Sequence, residues 1–190
     1  MARYTGPVCK LCRAVGMKLY LKGIRCSSPK CAVERRNSRP GVHGQARQKL
    51  SEYAIRLKEK QKARWTYGLV EKQFRRTFTD ASRATCNTGA KFLELLERRL
   101  DNVVYRLGFA TSRAQARQWV NHGHFAVNGR RVSIPSFRIR PGDVISAVEG
   151  SRKFLKEQLE IASMPAAPKW LEGDRETLTG TVKGLPERED

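Results

Sequence analysis

The stretch Leu95-Leu-Glu-Arg-Arg-Leu-Asp-Asn-Val-Val-Tyr-Arg-Leu-Gly-Phe109, followed by Ser112-Arg-Ala-Gln-Ala-Arg117 and His122-Gly-His-Phe-Ala-Val-Asn-Gly-Arg130, decides the fold of this 190-residue chain. In its first part the apolar residues recur at steps of three and four, which is the period of an amphipathic helix. Its second part predicts a shorter helix, and its third part alternates around Asn128-Gly129, a pair typical of a type I′ hairpin turn. Two helices followed by a β-hairpin are therefore expected here.

The expected limits of these elements follow from their capping residues. The first helix is predicted as one continuous segment over 91–107, ended by a left-handed Gly108, and Asp101 is interpreted as a charge on its surface. Thr111 or Ser112 caps the second helix, which is expected to run to Asn121. A further strand is expected within 138–146. The side chains expected to pack inward from the second helix are those of Ala114, Trp119 and Val120.

On either side of this region the sequence pattern is simpler. Residues 51–64 and 70–84 predict two further helices, the first of them capped by Ser51. Downstream, 151–162 predicts a short helix, and 163–190 lacks periodicity and is interpreted as a Pro-, Gly- and acid-rich tail. Residues 1–50 are interpreted as an irregular arm, because Gly and Pro interrupt them and no apolar period is sustained.

The chain is strongly basic. It carries 38 Lys and Arg residues against 18 Asp and Glu residues, which gives a formal net charge of +20. Such a charge repels itself in the folded state, and it is typical of proteins that a polyanion neutralises. Residues 1–50 contain Glu34 as their only acidic residue, whereas acidic and basic residues nearly balance in 151–190. The polyanion is therefore expected to face the first 150 residues.

A membrane surface explains this charge less well than a nucleic acid does. The sequence has no lipidation motif, no basic amphipathic helix with aromatic residues opposite, and no run approaching the ~20 apolar residues of a membrane span. No membrane partner is expected, and a cytoplasmic location is predicted. Disulfides do not persist in the cytoplasm, so the five cysteines are expected to be thiols or metal ligands.

Four of the cysteines form two close pairs, Cys9-x-x-Cys12 and Cys26-x4-Cys31. Two such pairs can supply the four thiolates of a tetrahedral structural metal site, and the metal would order an arm that lacks an apolar core. Zn²⁺ is the first choice, and an iron–sulfur cluster uses the same ligands. Unrelated thiols or a redox pair are the alternatives. Nearby Lys and Arg residues are expected to lower the thiol pKa values, and Cys86 is assigned no ligand role.

The short helix and the hairpin carry a distinctive set of polar residues. Arg113 and Arg117 lie one turn apart and are predicted to project from the same face as Asn121. Arginine forks suit phosphate oxygens, so this face is expected to bind RNA. His122 and His124 lie at the end of the helix, where RNA contact and a merely polar helix end remain equal alternatives.

These residues also carry a family resemblance. The quoted stretch resembles the S-four RNA-binding module, which recurs in several RNA-binding families. Only one of those families is similar upstream as well, the bacterial small-subunit ribosomal protein S-four family, and its motifs are matched by Met1-Ala-Arg-Tyr-Thr-Gly-Pro7, Arg39-Pro-Gly-Val-His-Gly44, Lys49-Leu-Ser-Glu-Tyr53, Glu59-Lys-Gln-Lys62, Tyr67-Gly68 and Gln73-Phe-Arg75. The resemblance covers nearly the whole chain. It departs from the family at Cys86, where glycine is usual, and family members usually continue past the residue that matches Asp190 into an apolar terminal strand.

The resemblance implies a structural constituent of the small ribosomal subunit, with no enzymatic activity and no small-molecule substrate. Members of the family bind the 5′ domain of small-subunit ribosomal RNA and nucleate assembly of the subunit body. The resemblance also implies contact with the neighbouring protein S-five, an influence on decoding accuracy, and contact with messenger RNA at its entry path through Arg47 and Lys49. The family's metal-binding cysteines are matched by Cys9, Cys12, Cys26 and Cys31.

The predicted fold is α+β and mostly α: a helical domain with a small helix-pair and β-hairpin RNA-binding module, preceded by a metal-stabilised N-terminal arm. The predicted domains are 1–45 for the arm, 46–92 with 151–190 for the helical body and tail, and 93–150 for the RNA-binding module. The residues expected to contact RNA are cationic or polar and occur in each of these three parts: Arg3, Lys22, Arg35, Arg36, His43, Arg47, Lys49, Arg56, Lys58, Lys62, Arg64, Arg75, Arg76, Arg83, Arg113, Arg117, Asn121, His122, His124, Asn128, Arg130 and Arg131.

Two other functions share features of this sequence. Pseudouridine synthases often carry the same module and place a catalytic Asp in an Arg-Leu-Asp context, as in Arg99-Leu-Asp101, but no catalytic domain of sufficient size follows the module. A zinc-dependent DNA-binding regulator would need a recognition helix suited to the major groove, and it is usually a dimer. The cysteine arm contains no ligand-bearing helix of that kind, so structured RNA is the expected partner.

Overall fold

The computed structural model describes residues 3–46, 49–159 and 167–187. The chain divides into two compact units, Met1–Phe74 and Arg75–Asp190, and the division falls within a helix. The three predicted domains divide the chain differently, and they stay a prediction.

The first unit is helical. Its helices are α1 (Val8–Val15), the single turn α2 (Ala32–Arg35), α3 (Glu52–Thr66) and the first residues of α4 (Glu71–Ser82). Ser51 caps α3 as predicted, because its hydroxyl accepts a hydrogen bond from the backbone N–H of Ala54 at 3.3 Å. The interpretation of residues 1–50 as irregular is wrong for α1, whose single apolar stripe spans only two turns and is too short to register as a period.

The second unit combines helices with one small sheet. Its further helices are α5 (Thr88–Glu97), α6 (Leu100–Arg106), α7 (Arg113–Asn121) and α8 (Arg152–Leu159). The strands are β1 (Phe125–Val127), β2 (Arg130–Arg131), β3 (Val144–Ala147), β4 (Leu171–Asp174) and β5 (Thr179–Val182). They form an antiparallel sheet in the order β2-β1-β3-β5-β4. The coarse prediction of helices with a small β module is confirmed.

The helix predicted over 91–107 is in fact two helices. Arg99, between α5 and α6, has the extended dihedrals φ −71° and ψ 137°. The loop after the hairpin supplies hydrogen bonds at this break: the carbonyl of Phe137 accepts from the N–H of Leu100 at 2.9 Å, and the N–H of Ile139 donates to the carbonyl of Arg98 at 2.9 Å. A tertiary contact therefore ends α5 at a point where the sequence has neither Gly nor Pro.

The predicted hairpin turn is confirmed, and the side chain of Asn128 stabilises it by hydrogen bonds. Asn128 and Gly129 both have positive φ, 51° and 77°, as a type I′ turn requires. The side-chain amide of Asn128 donates to Asp143 at 2.9 Å, and its oxygen accepts from the N–H of Val144 at 2.9 Å. Asn128 therefore fastens the turn to β3. Gly108, with φ 76°, ends the helical pair as predicted.

The interpretation of 163–190 as a tail with little periodicity misses the strands β4 and β5 of its described part. β5 pairs with β3 through Ser146–Thr179 and Val144–Thr181, so it lies inside the sheet and not beside it. Leu178 and Val182 are buried on its inner face. Strands of four residues separated by a short turn give little alternation along the sequence, and this pairing joins segments about thirty residues apart.

The hydrophobic core of the second unit contains residues of the predicted RNA-binding module and residues of the C-terminal segment that follows it. Its members come from α6, α7, α8 and the sheet, and the largest fully buried ones include Leu100, Leu107, Phe109, Phe125, Ile145, Leu155 and Leu178. The RNA-binding module that the sequence predicts is therefore packed on the C-terminal strands. Within the described residues, no helix is both long enough and apolar enough to cross a bilayer.

Candidate nucleic-acid interface

Most of the predicted RNA-contact residues of the first unit lie at its surface. The exposed ones are Arg3, Lys22, Arg35, Arg36, His43, Lys49 and Arg56. Arg47 lies outside the described residues. His43 belongs to the loop 39–46, which is held from two sides: Nε of Arg13 donates to the carbonyl of Ser38 at 2.9 Å, and Arg39 donates to the carbonyl of Ala46 at 2.8 Å. His43 is therefore exposed on a loop whose two ends are held by hydrogen bonds.

Arg64 at the end of α3 is engaged within the protein. Its guanidinium donates to Glu71, the first residue of α4, at 2.8 Å. Lys60 hydrogen bonds to the same carboxylate, and this bond is the main reason why the pKa of Glu71 lies below its usual value. Arg64 therefore links α3 to α4, and RNA contact is not needed to explain its charge.

The remaining predicted cations of α3 are held less firmly. Lys62 pairs with Glu59 at 2.6 Å, and Lys58 is half-buried. Arg56 pairs with Glu52 at 3.2 Å, with the two side chains 81% and 85% exposed. An ion pair with that exposure contributes little to stability, so a phosphate can replace the carboxylate of Glu52 at small cost.

α4 and the turn after it present three of the predicted arginines. Arg75, Arg76 and Arg83 are exposed. Asp80, on the same helix, accepts a hydrogen bond from Arg138, and that bond is the largest cause of the lowered pKa of Asp80. Arg138 therefore fastens the loop after the hairpin to α4, which its position in the sequence did not indicate.

Arg113 is oriented by a chain of hydrogen bonds that begins at Arg106. Arg106 donates to the two carboxylate oxygens of Glu97 at 2.9 and 3.0 Å. Asn102 donates its amide to the same carboxylate at 2.7 Å, so its oxygen faces Arg113 and accepts from Nε at 2.7 Å. The guanidinium of Arg113 lies 4.5 Å from the centroid of the Tyr105 ring. Arg113 is half-buried, so this network sets the direction of a side chain that still reaches the surface.

The predicted exposure of Arg117 is wrong, and so is the placement of Asp101 on a helix surface. Arg117 is 5% exposed and Asp101 is 4% exposed. The guanidinium of Arg117 lies 3.9 Å from the Asp101 carboxylate, which also accepts hydrogen bonds from Arg99 at 3.1 and 2.9 Å. α7 buries Ala116 and exposes Ala114, the reverse of the predicted inward position of Ala114. Arg117 and Asp101 therefore belong to a buried ion cluster.

Arg131 also has a structural partner. Its Nε donates to the carbonyl of Gly123 at 2.8 Å, and its Nη2 donates to the carbonyl of His122 at 2.9 Å. These bonds satisfy carbonyls at the end of α7 and join the hairpin to it. Of the other predicted residues nearby, Asn121 and Arg130 are exposed.

His122 and His124 have different surroundings. His122 is exposed, whereas His124 is half-buried and its Nδ1 lies 2.8 Å from the hydroxyl of Ser151. Burial lowers the pKa of His124, and the positive charges of His122 and Arg131 lower it further. Neutral His124 is therefore favoured at pH 7, and its ring is held in one orientation.

The four paired cysteines lie in the first unit. Cys12, Cys26 and Cys31 are buried and Cys9 is half-buried. Burial is the main cause of a raised pKa for Cys12, and the other three thiols raise that pKa further, which places them near one another. The expected lowering of the thiol pKa is thus wrong for Cys12. Among the described residues, no group of three or more His, Cys, Asp or Glu side chains is arranged to hold a metal ion.

Several residues that shape this interface were not singled out from the sequence. Glu97 and Asn102 orient Arg113, Ser151 fixes His124, and Arg138 anchors the hairpin loop. Asn102 and Arg113 lie 11 positions apart along the chain, His124 and Ser151 27, and Asp80 and Arg138 58. Helical spacing cannot indicate such contacts.

Comparisons with known proteins agree along the whole chain. Residues 3–97 match the family described as Ribosomal protein S4/S9 N-terminal domain, and residues 98–145 match the S4 domain. The chain is 86% identical over 190 residues to the small ribosomal subunit protein uS4 of Gloeobacter violaceus, covering 100% of this chain and 92% of that protein. It is 58% identical over 192 residues to the protein of the same name in Syntrophobacter fumaroxidans, and 57% identical over 193 residues to that in Thermus thermophilus, with the same shares covered.

Proposed function

This chain belongs to the ribosomal protein S4 family, and on that premise we propose that it is a structural constituent of the small ribosomal subunit that binds small-subunit ribosomal RNA directly. The observation that carries the proposal is the exposure of cations on both units of a chain whose relatives, matched over its full length, are small-subunit ribosomal proteins. It is a structural component and not an enzyme, and its place is the ribosome in the cytoplasm.

Phosphate contacts supply most of the affinity in this mechanism. On the first unit the candidates are Lys22, Arg35, Arg36 and Lys49; on the second they are Arg75, Arg76, Arg83, Arg113 and Arg130. Each phosphate that such a residue neutralises releases counterions from the RNA. Specificity comes from shape, because the major groove of an RNA duplex is too deep and narrow for side chains to read.

The finer features of the proposal follow from the family resemblance. The RNA target is the 5′ domain, and binding there nucleates assembly of the subunit body. Exposed Lys49 and neighbouring Arg47 contact messenger RNA at the entry path, and contact with protein S-five influences accuracy. Support for the messenger contact comes from the exposure of Lys49 beside the loop 39–46.

The test is a binding titration with a transcript of the small-subunit ribosomal RNA 5′ domain, with duplex DNA as competitor. We expect preference for the RNA and an affinity that falls linearly in log–log plots against salt; six to ten contacts predict a loss of about 10³- to 10⁵-fold between 50 and 200 mM salt. Equal affinity for duplex DNA, or an affinity independent of salt, would overturn the proposal.

We also propose that Cys9, Cys12, Cys26 and Cys31 bind one structural metal, Zn²⁺ first and an iron–sulfur cluster as the alternative. The support is the burial of three thiols and their mutual electrostatic effect. The donor set fits in its chemistry, although the described thiols are not arranged as a ligand group: thiolates are the preferred ligands of structural zinc, and metal binding drives the deprotonation that burial opposes. The metal would supply stability to the arm and no chemistry.

Metal analysis of the purified protein tests this assignment. We expect one Zn²⁺ per chain, lost in Cys26→Ser and kept in Cys86→Ser, a matched change at an exposed cysteine. Optical absorption separates an iron–sulfur cluster from zinc, which has no visible bands. Protein without metal whose first unit is as stable as that of the metal-bound form contradicts the proposal.

A further inference from the structure

Aromatic and imidazole rings converge where α7 ends and α8 begins. The ring centroids of His122 and His124 lie 5.9 Å apart, and that of His124 lies 5.7 Å from the ring centroid of Phe154. Trp119 meets Phe154 edge-to-face with centroids 5.9 Å apart. All four residues lie in the second unit, so their placement depends on the packing of one compact body.

Phe154 is supported on its inner side and open on its outer side. Trp119 is 5% exposed and belongs to the hydrophobic core, and Leu155, next to Phe154 on α8, is completely buried. Phe154 itself remains 43% exposed. The ring of His124 beside it is fixed by the hydrogen bond to Ser151. The result is a rigid, partly aromatic surface that stays in contact with water.

The charges around this surface are mostly positive. Arg131 is near enough to lower the pKa of His124, and exposed cations on α8 are Arg152, Lys153 and Lys156. The acids of the same segment are Glu149 and Glu157, both exposed. Neutral His124 offers a flat ring and not a phosphate-binding charge, whereas the surrounding cations are suited to phosphates.

We propose that the exposed ring of Phe154 is a stacking platform for an unpaired RNA base, with cations of α8 and Arg130 holding the flanking phosphates. The ring of His124 is tilted 36° from that of Phe154, and the ring of His122 lies at 64° to that of His124, so the two imidazoles border the stacked base from the side. This inference rests on the proposed function and names the part of the RNA that the second unit binds. Unpaired bases stack on aromatic side chains in proteins that bind single-stranded RNA, whereas bases inside a duplex are already covered by their neighbours. The platform adjoins exposed Asn121 and the hairpin, so it extends the predicted RNA-binding face.

Substitutions at Phe154 test the platform against the same RNA transcript. Phe154→Leu keeps an apolar contact for Trp119 and removes the stacking ring, and Phe154→Tyr keeps the ring. Phe137→Leu is the matched control, because Phe137 is 38% exposed in the same unit. One base–aromatic stack predicts an affinity about 5- to 100-fold lower for Phe154→Leu, with the salt slope unchanged because no charge is lost. Phe154→Tyr and Phe137→Leu are expected to bind like the wild type.

The outcomes separate the platform from the proposed function. If the wild type does not bind the transcript, the proposed function fails; if it binds and Phe154→Leu equals Phe137→Leu, only the platform fails. If thermal melting shows that Phe154→Leu is unfolded, photo-crosslinking of the wild-type protein to the RNA tests the platform instead. Thionucleoside photo-crosslinkers at the unpaired positions are expected to attach to peptides containing His122, His124 or Phe154. Crosslinks that avoid these peptides at every position overturn the platform.

Discussion

Changing Asp101 to Asn removes the negative charge of the buried ion cluster while keeping its size. The side chains of Arg99 and Arg117 are 7% and 6% exposed, so neither guanidinium can return to water without unfolding its surroundings. In Asp101→Asn the two cations lose the negative charge of Asp101, and one of the two oxygens that accept from Arg99 becomes an amide donor. Removing one partner from a buried ion pair costs about 3–5 kcal/mol, a large part of the ~5–15 kcal/mol that stabilises a domain.

Urea unfolding followed by tryptophan fluorescence measures this loss, since Trp119 and Trp170 both lie in the core of the second unit. With a slope of about 2 kcal/mol per molar urea, the midpoint is expected to fall by roughly 1.5–2.5 M. Glu157→Gln, at an exposed position on α8, is the matched control and is expected to leave the midpoint unchanged. Below its transition, Asp101→Asn is expected to bind the RNA transcript with wild-type affinity.

Two results would refute this reasoning. A loss of stability below about 1 kcal/mol would mean that the arginines find other partners or water. Normal stability with a selective loss of RNA affinity would mean that the cluster acts at the RNA and not in the fold.

Three further predictions concern single features. Arg113→Met is expected to weaken RNA binding by roughly tenfold to a hundredfold and to reduce the salt slope by about one, because one phosphate contact is lost; an unchanged slope contradicts that role. A chelator is expected to increase amide exchange in residues 1–45 and to leave 91–150 protected, so a cooperative loss of both would place the boundary elsewhere. The lowered pKa of Asp80 means that its bond to Arg138 stabilises the fold above the carboxyl's unfolded pKa of about 3.9 and that this contribution is lost as pH falls through the folded value; urea midpoints from pH 7 to 3 are expected to fall less steeply in Asp80→Asn than in the wild type.

The sequence predicts the helix ends and the turn that depend on residues close together in the chain. Ser51 is predicted as a helix cap and Ser112 as one of two candidates beside Thr111, and both serines accept a hydrogen bond from the third residue beyond them. Asn128-Gly129 requires positive φ at both positions, which few other pairs adopt. Each cap accepts from a residue three positions away, and the positive φ of the turn is a property of the Asn-Gly pair itself, so the sequence contains what these features need.

Helix ends and strands that depend on residues far away in the chain are not predictable in the same way. The end of α5 depends on the backbone of Phe137, and the burial of β5 depends on its pairing with β3. Neither contact requires a characteristic residue type, such as Gly or Pro, at the end of α5 or in β5. The predicted helix therefore continues through Arg98 and Arg99, and the two strands β4 and β5 lie within a segment that the sequence indicates only as an acid-rich tail.

The sequence could not separate arginines that hold the fold from arginines that face a partner, and the structure separates them by their acceptors. Arg64 and Arg117 direct their guanidinium groups at carboxylates of the protein, and Arg131 donates to backbone carbonyls, so these three side chains are held by the fold before any RNA binds. Arg113 is half-buried, and the hydrogen bond that its Nε donates to Asn102 sets the direction in which its side chain reaches the surface. The total of 38 Lys and Arg residues therefore overstates the number of cations available for phosphates, and the measured salt slope should report only the cations that the fold leaves at the surface.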